Sequence, residues 1–179
     1  MKYKNITQKK GDTGFTDLCL GGRVSKIDPR IDVVGEIDEF HATLGLCRND
    51  LDGITCSHLN KIQLHLTLLM GEISTADENK QKYRETFDFV SNSHLKYIDD
   101  LLNYYAGILD DLNRDQRGWA YYGHRGIPAA KVDHAGTVCR RCERRVVALS
   151  DQFEIREEIL AYLNRLSKVL YLIARFFEN

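Results

Sequence analysis

VDHAGTVCRRCERRVVAL, residues 132 to 149, is the stretch from which the rest of the chain can be read. Val132, Ala135, Val138, Cys142, Val146 and Leu149 recur at spacings of three and four, which predicts a helix with one apolar stripe. Arg140 and Arg144 stand one turn apart on one side, Arg141 and Arg145 on a neighbouring side, and Glu143 follows Arg140 by three positions. Guanidiniums on a rigid rod, with an acid among them, can hold a phosphate chain by bidentate bonds. The same residues also make an ordinary solvated face balanced by acids from neighbouring helices, and this stretch alone does not separate the two readings.

After Ser150 and Asp151, a last helix is predicted from Ile155, Ile159, Tyr162, Leu163, Leu166, Val169, Leu170, Ile173 and Phe176. Its apolar face is broad enough for its own core and a partner chain. Before the basic helix, residues 116 to 130 (QRGWAYYGHRGIPAA) break the period, and Trp119, Tyr121 and Tyr122 either line a flat ligand or cover the bundle ends. Upstream, a long segment from about Arg84 to Asp115 sustains the helical period, and a polar break at Asp77 to Lys82 precedes it. Leu59, Ile62, Leu66, Leu69 and Ile73 mark a helix over about 58 to 76. Pro29 presets the turn before a first helix over roughly Val33 to Cys47. Glu36, Asp38 and Glu39 place carboxylates near its positive end, which needs no catalytic explanation. His41 fits a packed or hydrogen-bonded histidine better than a metal ligand. Four or five long helices without a credible strand predict an all-α bundle in one domain spanning 1–179.

Residues 1 to 32 lack a sustained helical period, and Gly11, Gly14, Gly21 and Gly22 punctuate a run rich in Lys, Asp and Thr. A loop this long in a compact protein usually serves function. Glycines permit close approach to a ligand and successive amides can form an anion nest, with Lys9, Lys10, Arg23 and Lys26 adding positive charge. The order of a Walker A loop is absent, and a flexible surface tail explains the composition nearly as well. Asp12 and Thr16 offer oxygen ligands suited to Mg²⁺ or water.

With 179 residues and a formal charge of −1, the chain is the size of one domain and lacks the positive excess expected of a nucleic-acid binder. Neither a leader pattern nor a bilayer-length apolar run is present, so a soluble, cytoplasmic protein is expected. Five scattered cysteines fit reduced thiols. Cys139 and Cys142 form a single C-x-x-C pair, which reads as buried thiols rather than a zinc or redox site, and no metal held by protein ligands is expected.

Five signatures, in order, carry a family resemblance: K-K-G-D-T-G-F-T-D-L at 9 to 18, R-V-S-K-I-D-P-R at 23 to 30, G-E-I-D-E at 35 to 39, T-V-C-R-R-C-E-R-R at 137 to 145 and Y-L-N-R-L-S at 162 to 167. With them the chain resembles the ATP:corrinoid adenosyltransferases of the propanediol-utilisation type over almost its whole length. That resemblance implies a ferritin-like five-helix bundle assembling as a homotrimer, with ATP at each subunit interface between the loop of one chain and the basic helix of the next. It implies attack of a cob(I)alamin-type corrinoid on the 5′ carbon of ATP, with tripolyphosphate expelled. By similarity, Lys9, Gly11, Asp12, Gly14, Thr16 and Lys26 would wrap the phosphates with Mg²⁺. Arg140, Glu143 and Asn164 would hold ATP, Asp38 and Arg140 would stand beside the reacting groups, and a corrinoid reductase is an expected partner.

The chain departs from that pattern at Gln8, Lys10 and His41, at Gly136 where an arginine commonly pairs with the first-helix aspartate, and at Lys168 where an aspartate is usual. The turn before the basic helix is altered as well. These changes leave a second reading, an ATP- or corrinoid-binding homologue that is non-catalytic or of altered specificity.

Overall fold

The computed structural model describes residues 8–112, 121–123 and 126–178. Six helices are present among them: α1 (Pro29–Cys47), α2 (Gly53–Ile73), α3 (Lys80–Thr86), α4 (Asn92–Asp111), α5 (Ile127–Ser150) and α6 (Glu157–Phe176). Two three-residue strands, β1 (Phe15–Asp17) and β2 (Arg23–Ser25), pair antiparallel with Thr16 opposite Val24. The bundle is helical as expected, with five long helices and the seven-residue α3 among the described residues; the two short strands correct the expectation of none. The helical continuity expected from about Arg84 to Asp115 fails at residues 87 to 91, between α3 and α4, because Ser91 and His94 form a capping box that starts a new helix. Phe87, Phe89 and Val90 kept the apolar period running across that break in the sequence.

Local chemistry sets the other boundaries. Asp28 caps α1 by accepting from the Arg30 amide, and Pro29 supplies the first-turn φ, so the helix begins four residues earlier than its apolar period suggests. Asp52 caps α2 in the same way through the Thr55 amide at 2.7 Å.

The long helices pack in a ring. α1 lies between α2 and α5, α6 lies between α5 and α4, and the Tyr105 hydroxyl closes the ring by donating to Thr55 on α2. Ile37, Phe40, Leu44, Leu59, Ile62, Leu66, Tyr162, Leu163 and Leu166 are fully buried at its centre. Burying such side chains stabilises by roughly 2 kcal/mol each. Several polar groups in the core are paired. His65 Nδ1 meets the Tyr162 hydroxyl at 3.0 Å and its ring stands edge-on to His94, while burial pushes its pKa down to about 4. At the other end Glu72 receives both ends of the Arg156 guanidinium, at 2.7 and 2.9 Å. The N-terminal hairpin is pinned to this frame by the Cys19 amide, which donates to the Ser74 carbonyl beyond α2.

Candidate functional site

α5 is the spine to which the candidate residues refer, and its two flanks differ. Toward α1, Arg141 donates to Glu36 at 2.6 Å and also to Glu39, while Arg145 lies 3.9 Å from both Asp32 and Glu36. The carboxylates beside Arg141 hold its pKa above the usual guanidinium value. On the outward face of α5, Arg140, Glu143, Arg144, Val147, Ala148 and Asp151 line an open groove of about 530 Å³. Asn164 reaches across the seam from α6 and donates to Glu143 at 2.9 Å. The structure therefore brings Arg140, Glu143 and Asn164 together, whereas Arg141 and Arg145 are the cations neutralised by a neighbouring helix.

The N-terminal loop is folded rather than trailing. Gly14 takes φ +80, a conformation that L side chains rarely adopt, and its carbonyl accepts from the Lys26 amide at 2.9 Å. Lys26 folds back over Gly11, where an added Cβ would lie 2.9 Å from the ammonium nitrogen. Lys9 and Asp12 are exposed, and Thr16 is half-buried in β1. Lys26 also lines a second groove, about 420 Å³, with Asp32 and Arg145. Ala148 lines both grooves, so the loop's Lys26 and the outward arginines of α5 border adjoining surfaces within one chain.

Asp38 stands apart. It is exposed on α1, and the cations nearest in the sequence pattern are engaged elsewhere: Arg141 by Glu36 and Glu39, while Arg140 approaches the Tyr122 hydroxyl at 3.5 Å. Among the described residues no hydrogen bond or ion pair engages the Asp38 side chain. At Gly136 a Cβ would meet Leu170 at 3.7 Å and the Arg140 guanidinium at 3.8 Å, so Arg140 leans back one turn over the missing side chain. Lys168 is exposed on α6, one turn past Asn164. His41 contributes its carbonyl, which accepts from Gln63 at 2.8 Å.

The cysteines diverge. Cys142 approaches the Glu36 carbonyl on α1 at 3.0 Å, and Cys139 approaches the Leu163 carbonyl on α6 at 3.6 Å. Burial pushes the Cys142 thiol up to about 12 and the Cys139 thiol well above its ordinary value, which keeps both protonated and unreactive. Trp119 lies outside the described residues, and Tyr122 is the aromatic of that turn that the structure sets beside Arg140. The α1 partners of Arg141 and Arg145 were missed from sequence, although Asp32, Glu36 and Glu39 share the i, i+3, i+4 spacing that faces a basic helix.

Comparison with known proteins agrees with this arrangement. A family model described as cobalamin adenosyltransferase matches residues 6–177. The corrinoid adenosyltransferase PduO of Citrobacter freundii is 31% identical over 178 residues, covering 95% of this chain and 49% of its own length. A corrinoid adenosyltransferase of Bacillus subtilis is 34% identical over 173 residues, covering 93% of this chain and 83% of its own. The chain spans about half the length of the PduO-named relatives. A variant PduO-type ATP:corrinoid adenosyltransferase from Lactobacillus reuteri, complexed with cobalamin and ATP, shares the fold with a TM-score of 0.84 at 24% identity, over 96% of this chain and 89% of that one. With helices, loop and basic groove in the family's order, the chain belongs to the cobalamin adenosyltransferase family.

Proposed function

We propose that this chain transfers the 5′-deoxyadenosyl group of ATP to the cobalt of a reduced corrinoid and releases tripolyphosphate. The observation that carries the reading is the groove where Arg140 and Arg144 face outward while Asn164 holds Glu143 in place. Co(I) is itself the nucleophile, so the protein needs no base or nucleophile of its own; it positions the adenosyl carbon and stabilises charge growing on the leaving phosphates. Arg140 supplies a fixed, bidentate donor for those oxygens, and Glu143 and Asn164 form a polar pair suited to the nucleoside. Lys9, Gly11, Asp12, Gly14, Thr16 and Lys26 form the phosphate loop. Asp12 carries an exposed carboxylate compatible with Mg²⁺, which would reach most of its oxygens from phosphate and water.

As the family resemblance implies, the reading includes a cyclic homotrimer in which the loop of one chain covers the groove of the next. Residues 1–32 then act as the nucleotide-binding segment and 33–179 as the bundle. Asp38, exposed on α1, faces the shared site, and a corrinoid reductase supplies Co(I). No helix among the described residues is long and apolar enough to cross a membrane, which agrees with work in the cytoplasm.

A specific observation favours the second reading, a binding homologue without efficient transfer: among the described residues Asp38 has no partner, and Gly136 offers none. Mixing protein, ATP, Mg²⁺ and cob(I)alamin without oxygen separates the two. Matched formation of adenosylcobalamin and tripolyphosphate is the expected result; ATP binding with neither product would leave only the binding homologue.

A further inference from the structure

Across the α5–α6 seam from the turn that carries Arg140 stands a cation that the reading above leaves without a task. Lys168 follows Asn164 by one helical turn, so their Cβ atoms lie about 6 Å apart on one face of α6. The seam between α5 and α6 has its register set at two points, Asn164 against Glu143 and Leu170 against Gly136. Lys168 falls between them, beside the turn of α5 that carries Arg140, and on the same exposed edge as Asn164. The acids that could neutralise it are engaged: Glu143 by Asn164, and buried Asp133 by Arg175 at 2.5 Å. The neighbouring Arg165 turns away to Asp99 on α4. Among the described residues no hydrogen bond or ion pair engages Lys168 itself.

We propose that Lys168 is a phosphate-binding residue of this groove, completing with Arg140 and Arg144 a three-cation cradle for a triphosphate chain. Two guanidiniums hold planar, directed bonds, whereas an ammonium on a flexible stem follows a charge that moves. The cradle therefore suits both the triphosphate of a nucleotide and free tripolyphosphate. For the native ligand this rests on the adenosyl-transfer reading, where Lys168 keeps hold of the leaving group after the bond to carbon has broken and slows its release.

The test is equilibrium binding without corrinoid, using Mg-ATP, Mg-tripolyphosphate and AMP against the native chain and Lys168→Gln, Lys168→Asp, Lys168→Arg and, as a distant control, Lys82→Gln. Removing one exposed charge contact should weaken both triphosphates about fivefold in Lys168→Gln, with a larger loss in Lys168→Asp, where a like charge faces the phosphates. Lys168→Arg should stay near native, Lys82→Gln should be unchanged, and AMP should move less than twofold in every variant. Loss for ATP alone would assign Lys168 to the nucleoside, and equal loss for AMP would reduce it to a general field; either overturns the cradle. So would triphosphate affinities unchanged in Lys168→Asp, or a native chain that binds neither triphosphate. Triphosphate binding that depends on Lys168 without any transfer to cob(I)alamin would sink the adenosyltransferase reading and leave this one standing.

Discussion

Two flanks of one helix use the same residue type differently. On the α1 side of α5, Arg141 and Arg145 meet three carboxylates and belong to the scaffold; on its outward side, Arg140 and Arg144 face an open groove in which Glu143 is bonded by Asn164. A count of arginines cannot separate these roles, because what distinguishes them is the set of acids that the next helix presents. Cations that no neighbouring helix ties into an ion pair are the ones available to an anion.

Arg140→Ala should give the largest effect on function. Losing one preorganised contact to developing charge slows reactions by about 100-fold, so adenosyl transfer should fall by at least about tenfold while circular dichroism and the melting midpoint stay near native. Native transfer rates in that variant would remove the groove from the mechanism. On the scaffold side, the buried Glu72 sets the scale: Glu72→Gln removes the buried counter-charge of the Arg156 guanidinium, leaves it only Glu158 at 3.1 Å, and should cost up to about 3 kcal/mol, read from denaturant unfolding. A loss below about 1 kcal/mol would mean that this junction relaxes onto water.

The histidines give a pH test of the same scaffold. Burial holds His65 at about 4 in the folded chain against an ordinary 6.5, with His94 and Lys61 adding to the depression, and His58 and His94 are lowered too. The unfolded chain therefore binds protons that the folded chain refuses. Stability is full above pH 6.5 and falls as the pH drops toward 4, by up to about 3 kcal/mol from His65 alone. Unfolding midpoints measured from pH 7.5 to 4 should trace that fall, and His65→Gln should flatten it; an equal slope in the variant would assign the acid sensitivity elsewhere. The smallest expected effect sharpens the contrast directly. Arg141→Ala breaks two ion pairs, one partly exposed, and should lower the melting midpoint slightly with ATP affinity within about twofold of native. Weakened ATP binding there would erase the distinction between the flanks.

Much of this arrangement was legible in the sequence where chemistry is local. The apolar stripe from Val132 to Leu149 gave α5 its face, and Gly14 marked a backbone position that takes φ +80. Boundaries set by a single cap were harder, since Asp52 and Ser91 are ordinary polar residues until their side chains bind an amide. The break at residues 87 to 91 hid behind aromatics that continue the helical period. β1 and β2 were too short to show alternation, and their pairing follows from the turn that Gly21 and Gly22 form with positive φ. At the site, the packing of α6 on α5 sets Asn164 against Glu143, which shares a groove with Arg140. The isolation of Asp38 depends on Glu36 and Glu39 capturing Arg141, a tertiary pairing that spacing along one helix does not reveal.

A shared site is the claim that joins these observations, and complementation tests it most directly. Lys26→Ala damages the loop and Arg140→Ala damages the groove, so each homogeneous assembly should be nearly inactive. After the two variants are unfolded together and refolded at equal amounts, random neighbours around a ring should give about a quarter of the sites an intact loop and an intact groove, and transfer should return to about that fraction of native. Mixed assemblies that form yet remain as inactive as the separate variants would contradict a site built from two chains.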